Sequence, residues 1–445
     1  MLVAPFLPLA ATSDLRPFSS DFLPPQTIAV RAERLILEPG VELEKGVLLI
    51  ERGRIVAAGK ALAIPEGAHI VEGPVACAGF VDSWSSLGLD PSSIEESGSS
   101  PATRTVDALD PWYLPQDRDR ALRSGVTAAR LQSSRGAPIS GIGALVQTTS
   151  GTELQVLLED ACVAGSAGLS RSGRTSDVFD RVAEIDRIVG LLDKGRRYRQ
   201  SRIDFDKEFE EWTKAIAEKL AELEKNFKKA KKDREKDEKD AKEKGKEFKE
   251  KKYKEDKKPR RVRVDLDDEA MARAVDGDMP FVVEVHRASE IRRLLDKTES
   301  YSRLRLVIAC ATESLVFAAE LKERRIPIIL WPAPMGSTRP DEYQAQDPAL
   351  AGELARHGVR VLIGSGGGSE AHELRYLAAL AVAHGMSRSQ ALAAITQTPA
   401  EVFDAAGQLG ALTVGRSGDV LVFDGDPLDT SARLLHVIAR GEVIQ

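Results

Sequence analysis

The sequence predicts an α/β fold, with a βα barrel through the middle of the chain, β segments at both ends and a charged insertion. Three observations lead there. Short apolar runs at Val126–Leu131, Pro280–Val285, Leu304–Ala309, Ile326–Leu330 and Val359–Ile363 read as strands, and helical stretches such as Ala288–Asp296 and Glu313–Arg324 separate them. The 445 residues, 42% of them hydrophobic, are enough for a barrel and an accessory domain. One region, Asp206 to Arg261, breaks the alternation with Lys, Glu and Asp.

The first 26 residues form a leader. Met1–Thr12 is apolar and ends in small residues, as a secretory signal does. No basic residue precedes it, and Pro5 and Pro8 interrupt it, so a disordered leader is the other reading. Export to a periplasmic or extracellular compartment is favoured over a cytoplasmic location. From Thr27 to Val75 the chain is β in character, with strands at Ile28–Leu37 and Gly46–Glu51 and a turn at Arg52-Gly53 into Arg54–Ala58. The other end matches it, with Asp419–Phe423, a turn at Asp424–Pro427, and Leu435–Arg440. The residues alone do not pair the two ends.

In the charged region, Phe209 to Phe227 keeps apolar residues at helical spacing (Trp212, Ile216, Leu220, Leu223), and beyond Lys228 they nearly vanish. Lys225–Arg261 carries a net charge of +9 within a chain of −6. Interleaved Glu and Lys support a solvated helix, which Gly245 and Pro259 limit. The expectation is a flexible or frayed helical insertion over 205–261, with a docking arm for an acidic surface as the functional alternative. The overall negative charge argues against a nucleic-acid binder. Aromatic residues are only 5%, so the core is aliphatic. Three cysteines, Cys77, Cys162 and Cys310, give no disulfide framework, and no apolar stretch is long enough to span a membrane.

Several motifs then follow in order: Ala78-Gly-Phe-Val-Asp82, Thr105-Val-Asp-Ala-Leu-Asp-Pro111, Ala121–Thr127, Ile139–Val146, His286–Ile291, Ala311-Thr-Glu313, Thr396–Glu401 and Gly410–Leu428. The ordered set resembles the amidohydrolase superfamily, in particular its imidazolonepropionase-like members. The resemblance implies a distorted (β/α)8 barrel over 76–204 and 262–407, and a composite β-sandwich from 27–75 and 408–445. It also implies hydrolysis of C–N or ester bonds by one or two divalent ions that activate a bound water.

The ligands that the resemblance implies are a His-x-His after the first barrel strand, a lysine after the fourth, a histidine on each of the fifth and sixth, and an aspartate after the eighth. Here those places hold Trp84 and Ser86, Ser170, Glu284, Cys310 and Gly366. An indole cannot ligate a metal, a serine hydroxyl is a poor ligand and a glycine offers no side chain. The implied general base is lost with the aspartate. Among the six histidines, His286 lies at a strand end facing the barrel mouth, and His372 follows the Gly366–Gly368 turn. His69 and His436 belong to the β ends, and His357 and His384 to solvated helix ends.

Glu284 and His286 are two apart on a strand and share a face, and Cys310 belongs to the next strand. They could hold one weakly bound Zn²⁺, form a Cys310–His286 nucleophile pair, or be a polar cluster with Arg287 or Thr312 beside a packed cysteine. No cofactor is otherwise expected. Trp84 is expected to fill the volume of the missing ions, with Trp112 and Tyr113 covering the same cavity. Gly364–Ser369 lacks the Gly-Lys-Ser/Thr of a phosphate loop. The expected function is therefore that of a non-catalytic amidohydrolase-fold protein, a partner subunit or binding module that assembles with itself or with an intact homologue. The alternatives are an active hydrolase working through Glu284, His286 and Cys310, and a scaffold tethered by the charged arm.

Overall fold

Two sheets organise the chain. The computed structural model describes residues 27–90, 100–110, 112–132, 137–150, 154–167, 178–244, 258–330 and 347–445. The leader and Ser170 lie outside them. The first sheet takes β1 (Ile28–Glu38), β2 (Val41–Glu51), β3 (Arg54–Lys60) and β4 (His69–Ala78) from the start of the chain. The barrel strands follow: β5 (Phe80–Ser85), β6 (Val126–Leu131), β7 (Gly141–Gln147), β8 (Gln155–Ser166), β9 (Phe281–Val285), β10 (Leu306–Cys310), β11 (Ile328–Leu330) and β12 (Val361–Ile363). Last come β13 (Val420–Phe423), β14 (Leu434–Ala439) and β15 (Glu442–Val443).

The two ends of the chain do pair. The first sheet runs β15-β14-β13-β4-β1-β2-β3, with Leu421 opposite Cys77 where the ends meet. Alternate residues of its strands (Val30 and Ala32, Leu48 and Ile50, Ala76 and Ala78, Val420 and Val422) close on one apolar cluster. Gly79 turns the chain from this sheet into the barrel. A Cβ there would fall 2.1 Å from Thr127 Oγ1, so the crossing requires glycine.

The second sheet orders β5 to β12 in sequence, as the barrel prediction requires. It departs from a strict (β/α)8 pattern at one strand, because β7 runs antiparallel to both β6 and β8. The connections on either side of β7 are too short for a crossover helix, so the chain turns straight back. The remaining pairs, β5 with β6 and β8 through β12, are parallel. Helices α1 (Pro115–Arg123), α2 (Val178–Glu243), α3 (Leu266–Asp276), α4 (Ala288–Thr298), α5 (Ala318–Glu323), α6 (Leu350–Arg356), α7 (Leu374–Ala383), α8 (Arg388–Ala394) and α9 (Gln397–Val402) accompany them. Outward strand residues such as Val283, Val285 and Ile308 share a core with helix residues such as Leu294, Leu321 and Leu354.

The first and last barrel strands are joined by side chains. Asp82 Oδ1 accepts the Ser365 amide at 2.9 Å, and its Oδ2 accepts the Ser365 hydroxyl at 2.5 Å. The Gly366 amide donates to Trp84 O at 3.0 Å, and Ser85 Oγ donates to Gly367 O at 3.1 Å. A second buried carboxylate links the two sheets. Asp419 accepts from Gln147 Nε2 at 2.6 Å and from the Arg440 amide at 2.7 Å.

The described part of the charged insertion is helical, as the interleaved Glu and Lys allowed, and the helix starts before residue 205. Residues up to Glu243 continue α2, which begins at Val178 and is about 100 Å long at 1.5 Å per residue. Ile185, Ile188, Val189 and Leu192 bury its first turns, and Asp186 and Asp193 bind Arg293 and Tyr301 of the barrel. Beyond Ser201 the helix is mostly exposed, with pairs such as Glu210–Lys214 along its surface. It stops two residues before Gly245. Among the described residues no helix is long and apolar enough to cross a membrane.

Burial pushes the carboxyls of Asp82 and Asp419 up to about 6, against the pull of their hydrogen bonds. Each therefore holds its proton more tightly folded than unfolded. Their contribution to stability is greatest below the ordinary aspartate range and falls as pH rises through about 4 to 6. Urea midpoints measured across pH 4 to 7 should show this fall reduced in Asp419→Asn. An unchanged slope in that variant would contradict the assignment.

Candidate functional site

The barrel interior is built from strand alternation. On β9, Val282 and Glu284 face inward and Val283 and Val285 outward, and His286 continues the inward row. Val282 joins Trp84, Cys162, Val307, Ala309, Ile329, Leu362 and Phe403 in an inner apolar layer. On β6 the inward row is Ala128, Arg130 and then Gln132, which follows the strand.

Arg130 lies within this layer and is 0% exposed. Its guanidinium carbon is 5.2 Å from the Trp84 ring centroid and 5.3 Å from that of Phe403. It donates from Nε to Ser83 O (2.6 Å), from Nη1 to Cys162 Sγ (3.4 Å) and from Nη2 to Gln132 Oε1 (2.8 Å). Its charge also acts on Asp82, favouring the ionised carboxylate. Because Arg130 can only donate, it fixes the Gln132 carboxamide with its oxygen inward. Among the described residues, Gln132 Nε2 is then buried with no hydrogen-bond partner.

The sequence-predicted cluster does come together. Glu284, His286 and Cys310 are all buried, and one donor atom from each lies within 4.8 Å of the others. His286 Nε2 is 3.6 Å from Glu284 Oε1, and Ser166 Oγ is 3.5 Å from Glu284 Oε2. Thr312 Oγ1 bonds the His286 backbone carbonyl at 3.1 Å rather than its ring. Glu290 accepts the His286 and Arg287 amides at 3.4 and 3.2 Å, fixing the start of α4 directly behind His286.

Cys310 reaches this cluster through an unusual backbone. It pairs with outward-facing Val285, so regular alternation would send its side chain outward. Instead its φ is +67°, that of Ala311 is +46°, and the Ala311 amide donates to Ala309 O at 2.9 Å. This is a γ-turn of the positive-φ kind, which is rare and strained for a residue with a side chain. The same amide also bonds Val285 O at 2.7 Å, which anchors the turn to β9.

The other predicted positions are elsewhere or lack donors. Trp84 is 3% exposed and packs on Arg130, and Ser86 is half-buried. Gly366 has φ +87°. A Cβ at Gly364 would fall 2.5 Å from that of Trp84 and 2.9 Å from its backbone nitrogen, so the chain after the eighth strand passes the backbone of residue 84 only as glycine. The expectation that Trp112 covers a cavity is corrected. The residue is 76% exposed, and its amide donates to Asp110 Oδ1 at 2.8 Å. His372 bonds Ser369 O from a surface turn, apart from the cluster. All three cysteines are buried, and among the described residues none is in a disulfide. The sequence reading missed Arg130 and Gln132. The signal available was a charged residue in the inward row of an otherwise apolar strand.

Residues 266–444 match the family model described as "Amidohydrolase family". Over these residues the chain resembles an amidohydrolase family domain. Solved structures extend the likeness in fold to nearly the whole chain. An amidohydrolase from Thermotoga maritima MSB8 is 20% identical, with 94% of this chain and 99% of that one covered at a TM-score of 0.70. Ochratoxinase of A. niger is 14% identical, with 95% and 96% covered at 0.54. A prolidase complexed with N-methylphosphonate-L-proline is 16% identical, with 94% and 99% covered at 0.51. No curated protein matches the chain. Within this amidohydrolase fold, Arg130 stands at the centre of the barrel's polar interior. Arg130→Met should destabilise the protein by about 3 kcal/mol or more, because it strands buried acceptors. Arg130→Lys should recover less than half of that loss, since an ammonium cannot make three in-plane bonds between two rings. Chemical denaturation reads both, and a Lys variant as stable as the parent would contradict the reading.

Proposed function

We propose that this amidohydrolase-fold protein does not carry out the metal-dependent hydrolysis of its superfamily, and that it acts as a partner subunit or binding module. The observation that carries the reading is the packing of Trp84 on the buried Arg130 guanidinium. The two-ion centre that the resemblance implies would take nitrogen and oxygen donors at the ends of the first and eighth strands, and any such centre needs its donors to converge. Trp84 and Gly366 offer none, Ser86 is a weak donor, and the interior below them already holds a fixed cation. The residues present do not fit two ions. Three donors remain, Glu284, His286 and Cys310, and these fit one ion. The aspartate expected to act as general base is replaced by a glycine whose amide is bonded to Trp84 O.

The test is an assay of the full-length protein, loaded with zinc or manganese, against amides, esters, cyclic imides and Xaa-Pro dipeptides. Turnover no greater than that of a Glu284→Gln, Cys310→Ala double variant is expected. Metal-dependent hydrolysis that the double variant abolishes would establish the rival reading of an active hydrolase. A partner role predicts in addition that co-expression with an intact homologue changes that homologue's stability or rate.

A further inference from the structure

We propose that Glu284, His286 and Cys310 form a binding site for a single thiophilic divalent ion of the zinc type. This gives the binding-module reading a ligand, and it can fail independently of it.

Three features support the site. The donor set is one carboxylate oxygen, one imidazole nitrogen and one sulfur, all buried and within 4.8 Å of one another. Donors sharing an ion at 2.0–2.3 Å sit roughly 3.3–3.8 Å apart in a tetrahedral arrangement. Small side-chain rotations bring these three to that spacing, because Glu284 and His286 are already neighbours on the inward row of β9. The second feature is the γ-turn at Cys310. The left-handed backbone turns inward a thiol that the ladder register would point outward. Such a turn is strained and persists where the surroundings impose it. Here the Ala311 amide is held by both Val285 O and Ala309 O. The third feature is charge. A carboxylate and a thiolate together match the charge of a divalent ion, and imidazole ligates a metal as a neutral donor. Sulfur and imidazole favour zinc over magnesium or calcium. Three protein donors leave a fourth position on a tetrahedral ion for an exogenous ligand.

Cobalt(II) titration of the chelator-treated full-length protein tests this. One equivalent should bind and give an intense near-ultraviolet thiolate-to-cobalt absorption. Cys310→Ser should abolish that band, Cys77→Ala should keep it, and Glu284→Gln should weaken binding at least tenfold. X-ray absorption of the zinc-loaded parent, which needs no variant, should show one sulfur at about 2.3 Å. Absence of a sulfur shell, or a thiolate band that survives in Cys310→Ser, would overturn the site and leave the non-hydrolytic reading standing. Hydrolysis by the one-ion protein would sink that reading and leave the site standing.

Discussion

Placing a guanidinium where water does not reach constrains everything around it. A guanidinium offers five donors and no acceptor, so the barrel must supply acceptors and polarisable faces on all sides. It does so with a backbone carbonyl, a thiol sulfur, a carboxamide oxygen and two aromatic rings. Asp82, the nearby carboxylate, is held in turn by Ser365 from the last strand. The cation in the interior and the closure of the barrel are therefore coupled. Trp84 takes part in both, stacking on Arg130 while its backbone carbonyl receives the Gly366 amide.

The same logic explains which glycines matter. The chain after the eighth strand approaches the backbone and Cβ of residue 84 closely enough to exclude a side chain at Gly364. At Gly366, where φ is +87°, any side chain would strain the backbone. The interior is thus a self-consistent arrangement of an organic cation and aromatic surfaces. The donors that remain are gathered on β9 and β10, across the barrel from the Asp82–Ser365 closure.

Much of the fold was legible in the sequence because periodicity reports burial. The five apolar runs appear as strands near their expected bounds, and the ordered motifs pointed to a barrel that the structure and its relatives share. The pairing of the chain ends was not legible from residues alone, since β character does not specify a partner, and only the resemblance supplied it. The reversed β7 was missed because strand direction depends on connection length in space. The helix in the charged insertion was legible from the interleaved Glu and Lys, whereas its start at Val178, before residue 205, was not. At the site, the two-residue spacing of Glu284 and His286 announced a shared face. The inward turn of Cys310 could not be read, because it depends on a backbone conformation that alternation forbids. Arg130 was passed over because one charge in an apolar strand carries no motif, although its place in the Ala128–Gln132 row was visible.

The central claim is that the barrel interior is organised by Arg130 and Trp84 in place of a two-ion centre. Anomalous diffraction from crystals grown with excess zinc tests it most directly. The account predicts the guanidinium between the Trp84 and Phe403 rings and no anomalous peak between Trp84 and Gly366. A zinc peak at that position, with Trp84 swung out of the barrel, would contradict it.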